Sequence, residues 1–85
     1  MRIAHWTAAV MLVVLAAGPA ANAANLTDCL KMAKEVAAAL QSAQPGDTTD
    51  KARTEQNAGR MYCSSSMYDQ GVAAYSKALQ LLGKA

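Results

Sequence analysis

The sequence predicts a small all-α domain behind a cleaved secretory signal peptide: an antiparallel helical hairpin or a three-helix bundle, stapled by one disulfide. Three observations predict this fold class. The chain begins with a short apolar run of signal-peptide type, and beyond it apolar residues recur at the three- and four-residue steps of an amphipathic helix. In addition, two cysteines, Cys29 and Cys63, lie at equal distances from Gly46 in a Pro-Gly turn.

The first 23 residues have the features of a secretory signal peptide. Arg2 precedes an apolar run over residues 8–17, which is too short to cross a bilayer because a spanning helix needs roughly 20 apolar residues. Pro19 follows the run and breaks its helix, and Ala21 and Ala23 are the small residues that a signal peptidase requires. We predict cleavage after Ala23 and a soluble periplasmic or secreted product. The alternatives are an N-terminal membrane anchor and a buried core helix.

The domain that remains, residues 24–85, is small and nearly neutral. Cleavage removes Arg2 and leaves 62 of the 85 residues, so the formal net charge falls from +2 to +1. We therefore expect no nucleic-acid partner and no stable membrane insertion after cleavage. A domain of about 60 residues buries only about 60% of its unfolded surface, so we expect a covalent staple.

The two cysteines can supply that staple. In an antiparallel pair of helices, residues equidistant from the turn face each other, so the register centred on Gly46 brings Cys29 and Cys63 together. Disulfides form and persist in the oxidising compartments to which exported chains go. We predict an intramolecular disulfide between these cysteines. Two free buried thiols and an intermolecular bridge are the alternatives.

The first predicted helix covers about residues 26–43. Asn25 or Thr27 can cap it, and Asp28 places a negative charge in the first turn, where the helix dipole favours one. The Pro-Gly turn ends it, because proline cannot continue the helical hydrogen-bond pattern. Its apolar stripe consists of Leu26, Cys29, Leu30, Ala33, Val36, Ala37 and Leu40.

The second predicted helix covers about residues 49–64 and can be capped by Thr48 or Thr49. Its inward stripe carries little apolar bulk, so a two-helix hairpin alone would not be stable. Small residues are predicted to meet beside the disulfide and to let the two backbones approach closely. The register centred on Gly46 pairs Leu40 with Ala52, Ala33 with Gly59, and Leu30 with Tyr62.

The third predicted helix covers about residues 67–82 and supplies the missing apolar surface. Three consecutive serines, residues 64–66, precede it and lower helix propensity, so we predict a break there. The alternative is one continuous helix over 49–82, which would expose its apolar stripe and require a homodimer to cover it. That stripe consists of Tyr68, Val72, Tyr75, Leu79 and Leu82.

Residues 58–83 also carry a pattern of small and aromatic residues. The pattern consists of Gly59 and Tyr62, followed by Tyr68, Gly71, Tyr75, Ala78 and Leu79. It resembles one tetratricopeptide (TPR) repeat, a family whose two antiparallel helices pack through such residues. The sequence departs from the family at Glu55, Ser66 and Gly83, where the family prefers a large apolar residue, glycine and proline. One repeat is visible, whereas a solenoid needs at least about three. The resemblance implies a protein-interaction or scaffolding role without naming a partner.

The residues after the predicted cleavage site offer little for catalysis. They contain no histidine, so the usual general base and the Ser-His or Cys-His nucleophile pairs cannot be built. No haem, zinc or phosphate-binding motif is present. We expect no enzymatic activity and no cofactor. One alternative is a soft-metal site, in which Cys29, Met32, Cys63 and Met67 would supply the sulfur ligands that select Cu(I).

We therefore predict a non-catalytic protein-interaction or scaffolding module with an unidentified protein partner. Tyr62, Tyr68 and Tyr75 are the predicted contact residues, because the aromatic area of the mature chain lies in this one stretch and tyrosine is favoured at interfaces. The alternative function is a small periplasmic carrier of a ligand or of Cu(I).

Overall fold

The computed structural model describes residues 23–84, so the predicted signal peptide up to residue 22 lies outside the described residues. Within that range the chain forms three helices and no strand: α1 (Leu26–Gln41), α2 (Asp47–Ser64) and α3 (Tyr68–Leu81). The predicted all-helical bundle is confirmed, and the alternative of a continuous helix over 49–82 is wrong. None of these three helices is both long enough and apolar enough to cross a membrane.

α1 begins with a complete capping box. Oδ1 of Asn25 accepts a hydrogen bond from the backbone N–H of Asp28 (2.9 Å), and the Asp28 carboxylate accepts one from the N–H of Asn25 (3.0 Å). The two bonds satisfy backbone donors that the first helical turn would leave unpaired, and such a cap stabilises a helix by about 1 kcal/mol. Of the two predicted caps, Asn25 is the one that is used.

α2 begins at Asp47, two residues before the predicted start. Gly46 precedes it with a φ of 153°, a conformation that residues with a side chain rarely adopt. Because this glycine lets the chain reverse so early, the predicted caps Thr48 and Thr49 lie inside the helix. The hydroxyl of Thr49 donates instead to the carbonyl of Gln44 and fastens the turn to the first turn of α2.

The break between α2 and α3 is a Schellman motif centred on Ser66. The N–H of Met67 donates to the carbonyl of Tyr62 (2.9 Å), the N–H of Ser66 donates to the carbonyl of Cys63 (3.2 Å), and Ser66 has a φ of 64°. The same pair of bonds ends α3, where Gly83 takes the left-handed position with a φ of 74°. A left-handed backbone costs a residue other than glycine roughly 1 kcal/mol, so Ser66 carries a penalty that Gly83 avoids.

Replacing Ser66 by glycine is therefore expected to stabilise the bundle. Ser66→Gly removes the Cβ penalty and should raise the free energy of unfolding by about 0.5 to 1 kcal/mol, as measured by urea unfolding followed by circular dichroism. Ser65→Gly is the matched control, because Ser65 has an ordinary φ of −98°. The control should be neutral or destabilising. An equal gain at both positions would contradict this explanation.

α3 makes the most extensive contacts in the bundle. It packs chiefly against α2 and next against α1, whereas α1 and α2 contact each other least. α2 and α3 are antiparallel, as shown by the contact of Gly71 with Cys63 and by an ion pair of 3.7 Å between Lys77 and Glu55. The buried core consists of Val36, Ala39, Leu40, Ala52, Tyr75, Ala78 and Leu79.

The predicted register between α1 and α2 is only partly observed. Leu40 and Ala52 are both buried in the core, as the register requires. At Gly59, the atoms nearest to an added Cβ would belong to the ring of Tyr75 on α3. The physical reason is that α3 places its aromatic residue over the glycine of α2. The missing side chain at Gly59 therefore makes room for a ring of α3, which the register of α1 and α2 did not predict.

Candidate functional site

Cys29 and Cys63 lie at disulfide distance at one end of the bundle. Their Sγ atoms are 2.06 Å apart and their Cα atoms 6.2 Å apart, so the pair joins the first turn of α1 to the last turn of α2. Sγ of Cys29 also lies 3.9 Å from the carbonyl oxygen of Tyr68, at the start of α3. The prediction that the two cysteines meet is confirmed, and all three helices come together at this point.

Gly71 allows α3 to approach the two sulfur atoms. A Cβ at this position would overlap Sγ of Cys63 and would lie 3.3 Å from Sγ of Cys29. The prediction named Ala33 and Gly59 as the small residues beside the sulfurs and did not include Gly71. Gly71 contacts both sulfurs because α3 packs over the end of the α1–α2 pair.

A groove runs between α1 and α2, and we call it the α1–α2 groove. It is formed by two adjoining hollows of about 250 and 310 Å³, which share Leu30, Ala33, Arg60 and Tyr75 as lining residues. Leu26 lines the end near the sulfur atoms. Leu26 and Leu30 are 50% and 57% exposed, although the apolar pattern predicts both in the core. The groove exists because α1 and α2 contact each other least, so their facing edges stay uncovered.

Tyr75 forms the floor of the α1–α2 groove. It is only 3% exposed, and a Cβ at Gly59 would lie 2.6 Å from two carbons of its ring. Burial raises the pKa of the Tyr75 hydroxyl above its usual value of 10.0, and the Arg60 guanidinium opposes this by favouring the phenolate. Tyr75 is not an exposed side chain, because the missing side chain at Gly59 lets the ring enter the core, and a role for it in partner contact stays a prediction.

Tyr62 and Tyr68 lie near the break between α2 and α3. Tyr62 is 38% exposed, and Tyr68 is half-buried with its hydroxyl 3.5 Å from Oγ of Ser66. Neither is among the residues that line the α1–α2 groove. Tyr62 was predicted to face Leu30, but the groove that Leu30 lines includes Arg60 and not Tyr62 among its lining residues. The three predicted contact tyrosines therefore do not share one surface.

The charged residues that line the groove are cationic. Arg60 of α2 lines both hollows and Lys34 of α1 lines one, and no carboxylate is among the lining residues of either. Both cations are exposed. The groove thus combines half-exposed leucines with positive charge.

The four predicted sulfur ligands have different environments. Cys29 and Cys63 are at disulfide distance, Met32 packs against the core, and Met67 is exposed at the residue before α3. A cysteine in a disulfide supplies no thiolate to a metal. In residues 23–84, no group of three or more His, Cys, Asp or Glu side chains is placed to hold a metal ion.

A larger hollow of about 460 Å³ lies at the opposite end of the bundle, around the α1–α2 turn and the end of α3. Its walls come largely from the turn, residues 42–49, and from Leu81 and Leu82. These two leucines are partly buried against the core, unlike Leu26 and Leu30. The α1–α2 groove is therefore the better candidate for a contact surface.

Arg60 was not predicted as a site residue. A signal for it exists in the sequence, because Gln56, Arg60 and Cys63 follow each other at steps of four and three on α2. Once Cys63 is paired with a cysteine of α1, that spacing directs the whole row towards α1. The half-exposed leucines gave no such signal, since their positions fit a core stripe equally well.

No protein-family model matches this chain, and neither a curated protein nor a solved structure shows a match to it.

Proposed function

We propose that this chain is an exported, non-catalytic protein-interaction module and that the α1–α2 groove is its contact surface. One observation carries the proposal: Leu26 and Leu30 are half exposed along a groove whose lining charges, Lys34 and Arg60, are cationic. Burial of exposed leucines by a partner makes a favourable contribution to the free energy of binding. A contiguous set of apolar side chains with charge at its rim is typical of protein interfaces.

The partner that fits is an amphipathic helix with a carboxylate beside its apolar face. Helices bind in grooves between two other helices through apolar residues spaced by three and four. Leu30 and Ala33 would contact that face. Arg60 would pair with the carboxylate through the two parallel hydrogen bonds that a guanidinium can donate. The positive charge of the groove disfavours the binding of a basic helix, because like charges would repel each other.

The resemblance of residues 58–83 to a TPR hairpin supports an interaction role. The contact between Gly59 and Tyr75 is of the glycine-to-aromatic kind that the resemblance implies. Ser66 has a left-handed backbone at the position where the family prefers glycine. We propose that α2 and α3 form a single TPR-like hairpin and that α1 adds the second wall of the groove.

Export is the other part of the proposal. The predicted signal peptide supports it, and so does a cysteine pair at disulfide distance, since disulfides persist in oxidising compartments. The alternative function, a Cu(I) carrier, requires Cys29 and Cys63 to be reduced. It would also require Met32 to leave its packing against the core.

Photocrosslinking tests the groove directly. A photoreactive benzoylphenylalanine at position 30 should capture a distinct protein when the tagged chain is expressed in its native host, because that side chain points into the groove. The same residue at position 51, an exposed lysine of α2 outside the groove, is the matched control. Mass spectrometry should place the crosslink on an apolar helical segment that contains Asp or Glu.

Charge reversal then separates the groove from general surface effects. Arg60→Glu should weaken binding of the captured segment, as a synthetic peptide, by about 1 to 2 kcal/mol, since it replaces an attractive charge pair by a repulsive one. Lys51→Glu should leave the affinity unchanged, and both variants should keep the melting temperature. Equal affinities for the two variants would contradict the proposal. A crosslink to a second copy of this chain would instead show that the groove is the interface of a homodimer and does not bind a helix of another protein.

A further inference from the structure

The start of the described chain is fastened to α3 by a carboxylate. The backbone nitrogen of Ala24 donates a hydrogen bond of 2.8 Å to Oδ1 of Asp69, across 45 residues of sequence. Asp69 lies in the first turn of α3, and Ala24 precedes α1 by two residues. Ala23 is exposed, whereas Ala24 is half-buried. The backbone therefore passes from solvent to a defined attachment point between these two alanines.

That attachment point coincides with the predicted cleavage site. Hydrolysis of the bond between Ala23 and Ala24 would convert the nitrogen that Asp69 already binds into the α-amino group of the mature chain. We propose that Asp69 is the acceptor for the α-ammonium group of Ala24, so that signal-peptide removal replaces a hydrogen bond from an uncharged amide with an ion pair that holds the new N-terminus on α3. This inference rests on the export part of the proposed function.

The chemistry of the cut supplies the charge. A signal peptidase adds water across the peptide bond, so Ala23 leaves with a carboxylate and Ala24 keeps the nitrogen, which takes up a proton at neutral pH because an α-amino group has a pKa of about 8. The amide N–H already makes a charge-assisted hydrogen bond to the carboxylate, and protonation of the donor adds the attraction between two opposite charges to that bond. Asp69 therefore gains a stronger partner without any movement of the backbone.

The arrangement is specific to this bond of the chain. Asp69 on α3 accepts a hydrogen bond from the nitrogen of Ala24, and the carboxylate of Asp28 on α1 accepts one from the next nitrogen, that of Asn25. A cut after Ala21 would leave an amide at Ala24 and would place the ammonium two residues away. Asp69 would then hold only the hydrogen bond from the amide of Ala24 that it holds in the uncut chain.

The test begins with the protein exported by its native host. Intact-mass measurement should show a chain that starts at Ala24. Selective acetylation of the α-amine at mildly acidic pH then removes its charge, and urea unfolding is compared before and after. In the exported chain, acetylation should raise the unfolding equilibrium constant about two- to five-fold, which is the range for exposed ion pairs. In the Asp69→Asn variant it should have no effect.

Asp47→Asn is the matched control for the role of an acid in a first helical turn, because Asp47 occupies that position in α2. Acetylation should destabilise this variant as much as the unsubstituted chain. An equal response of the Asp69→Asn chain would overturn the ion pair while leaving export intact. A chain that begins at any residue other than Ala24 would overturn the inference. Retention of the whole segment would overturn export with it, whereas the crosslinking at position 30 tests the groove independently.

Discussion

Loss of the bond between Cys29 and Cys63 is expected to lower the free energy of unfolding by about 3 to 4 kcal/mol. The two cysteines are separated by 34 positions, and opening a loop of this length restores that much chain entropy to the unfolded state in the chain-entropy model. A domain of about 60 residues has a total stability of roughly 3 to 9 kcal/mol. Reduction should therefore bring the bundle close to unfolding at room temperature.

The position of the pair in the fold strengthens this expectation. The bond joins α1 to α2, and these helices contact each other least, so few other interactions would keep them together. Reduction by dithiothreitol should lower the melting temperature sharply. The Cys29→Ala/Cys63→Ala chain should melt at the lower temperature with or without the reductant, which makes it the control for effects of the reductant itself.

Thiol labelling of the exported, unreduced protein provides the direct check. No thiol should react before denaturation and reduction. Two reactive thiols per chain would contradict the disulfide and would favour the Cu(I) carrier instead. A competition assay with a Cu(I) chelator would then show binding that is weakened by Met32→Leu.

The features that could be predicted from the sequence are those encoded by neighbouring residues. The cap at Asn25, the Pro-Gly turn and the serine run before α3 act within one or two helical turns, and the three helices lie within two residues of their predicted bounds. The pairing of the cysteines was also predictable, because a turn centred at equal distance from both sets the register of the hairpin that it joins.

The features that could not be predicted depend on which faces of the helices meet. The apolar arc of α1 is wide enough to include both Val36 and Leu30, and the spacing of its residues does not say which part α3 will cover. The structure buries Val36 fully and leaves Leu30 exposed. Gly59 illustrates the same limit: glycine predicts a close approach, but α2 meets the ring of Tyr75 there.

The packing of α3 over the cysteines predicts a second large effect, at Gly71. Gly71→Ala should destabilise the bundle by about 2 to 3 kcal/mol, because the added Cβ would overlap Sγ of Cys63 and would lie 3.2 Å from the backbone nitrogen of the same residue. Helix propensity alone predicts the opposite sign, since alanine is better than glycine inside a helix by about 1 kcal/mol. The sign of the change therefore shows which effect dominates.

Two further sets of variants test whether the contact with sulfur causes the loss of stability in Gly71→Ala. Ala73→Gly, at an exposed position of the same helix, should cost about 1 kcal/mol and measures the propensity difference on α3 itself. In the Cys29→Ala/Cys63→Ala background the sulfur atoms are gone, so Gly71→Ala should become nearly neutral. All chains are compared by urea unfolding at one fixed concentration of trimethylamine N-oxide, which keeps the weaker variants folded. An equal loss in both backgrounds would mean that the backbone of α2 limits the approach of α3, and the proposed role of the sulfur atoms would be wrong.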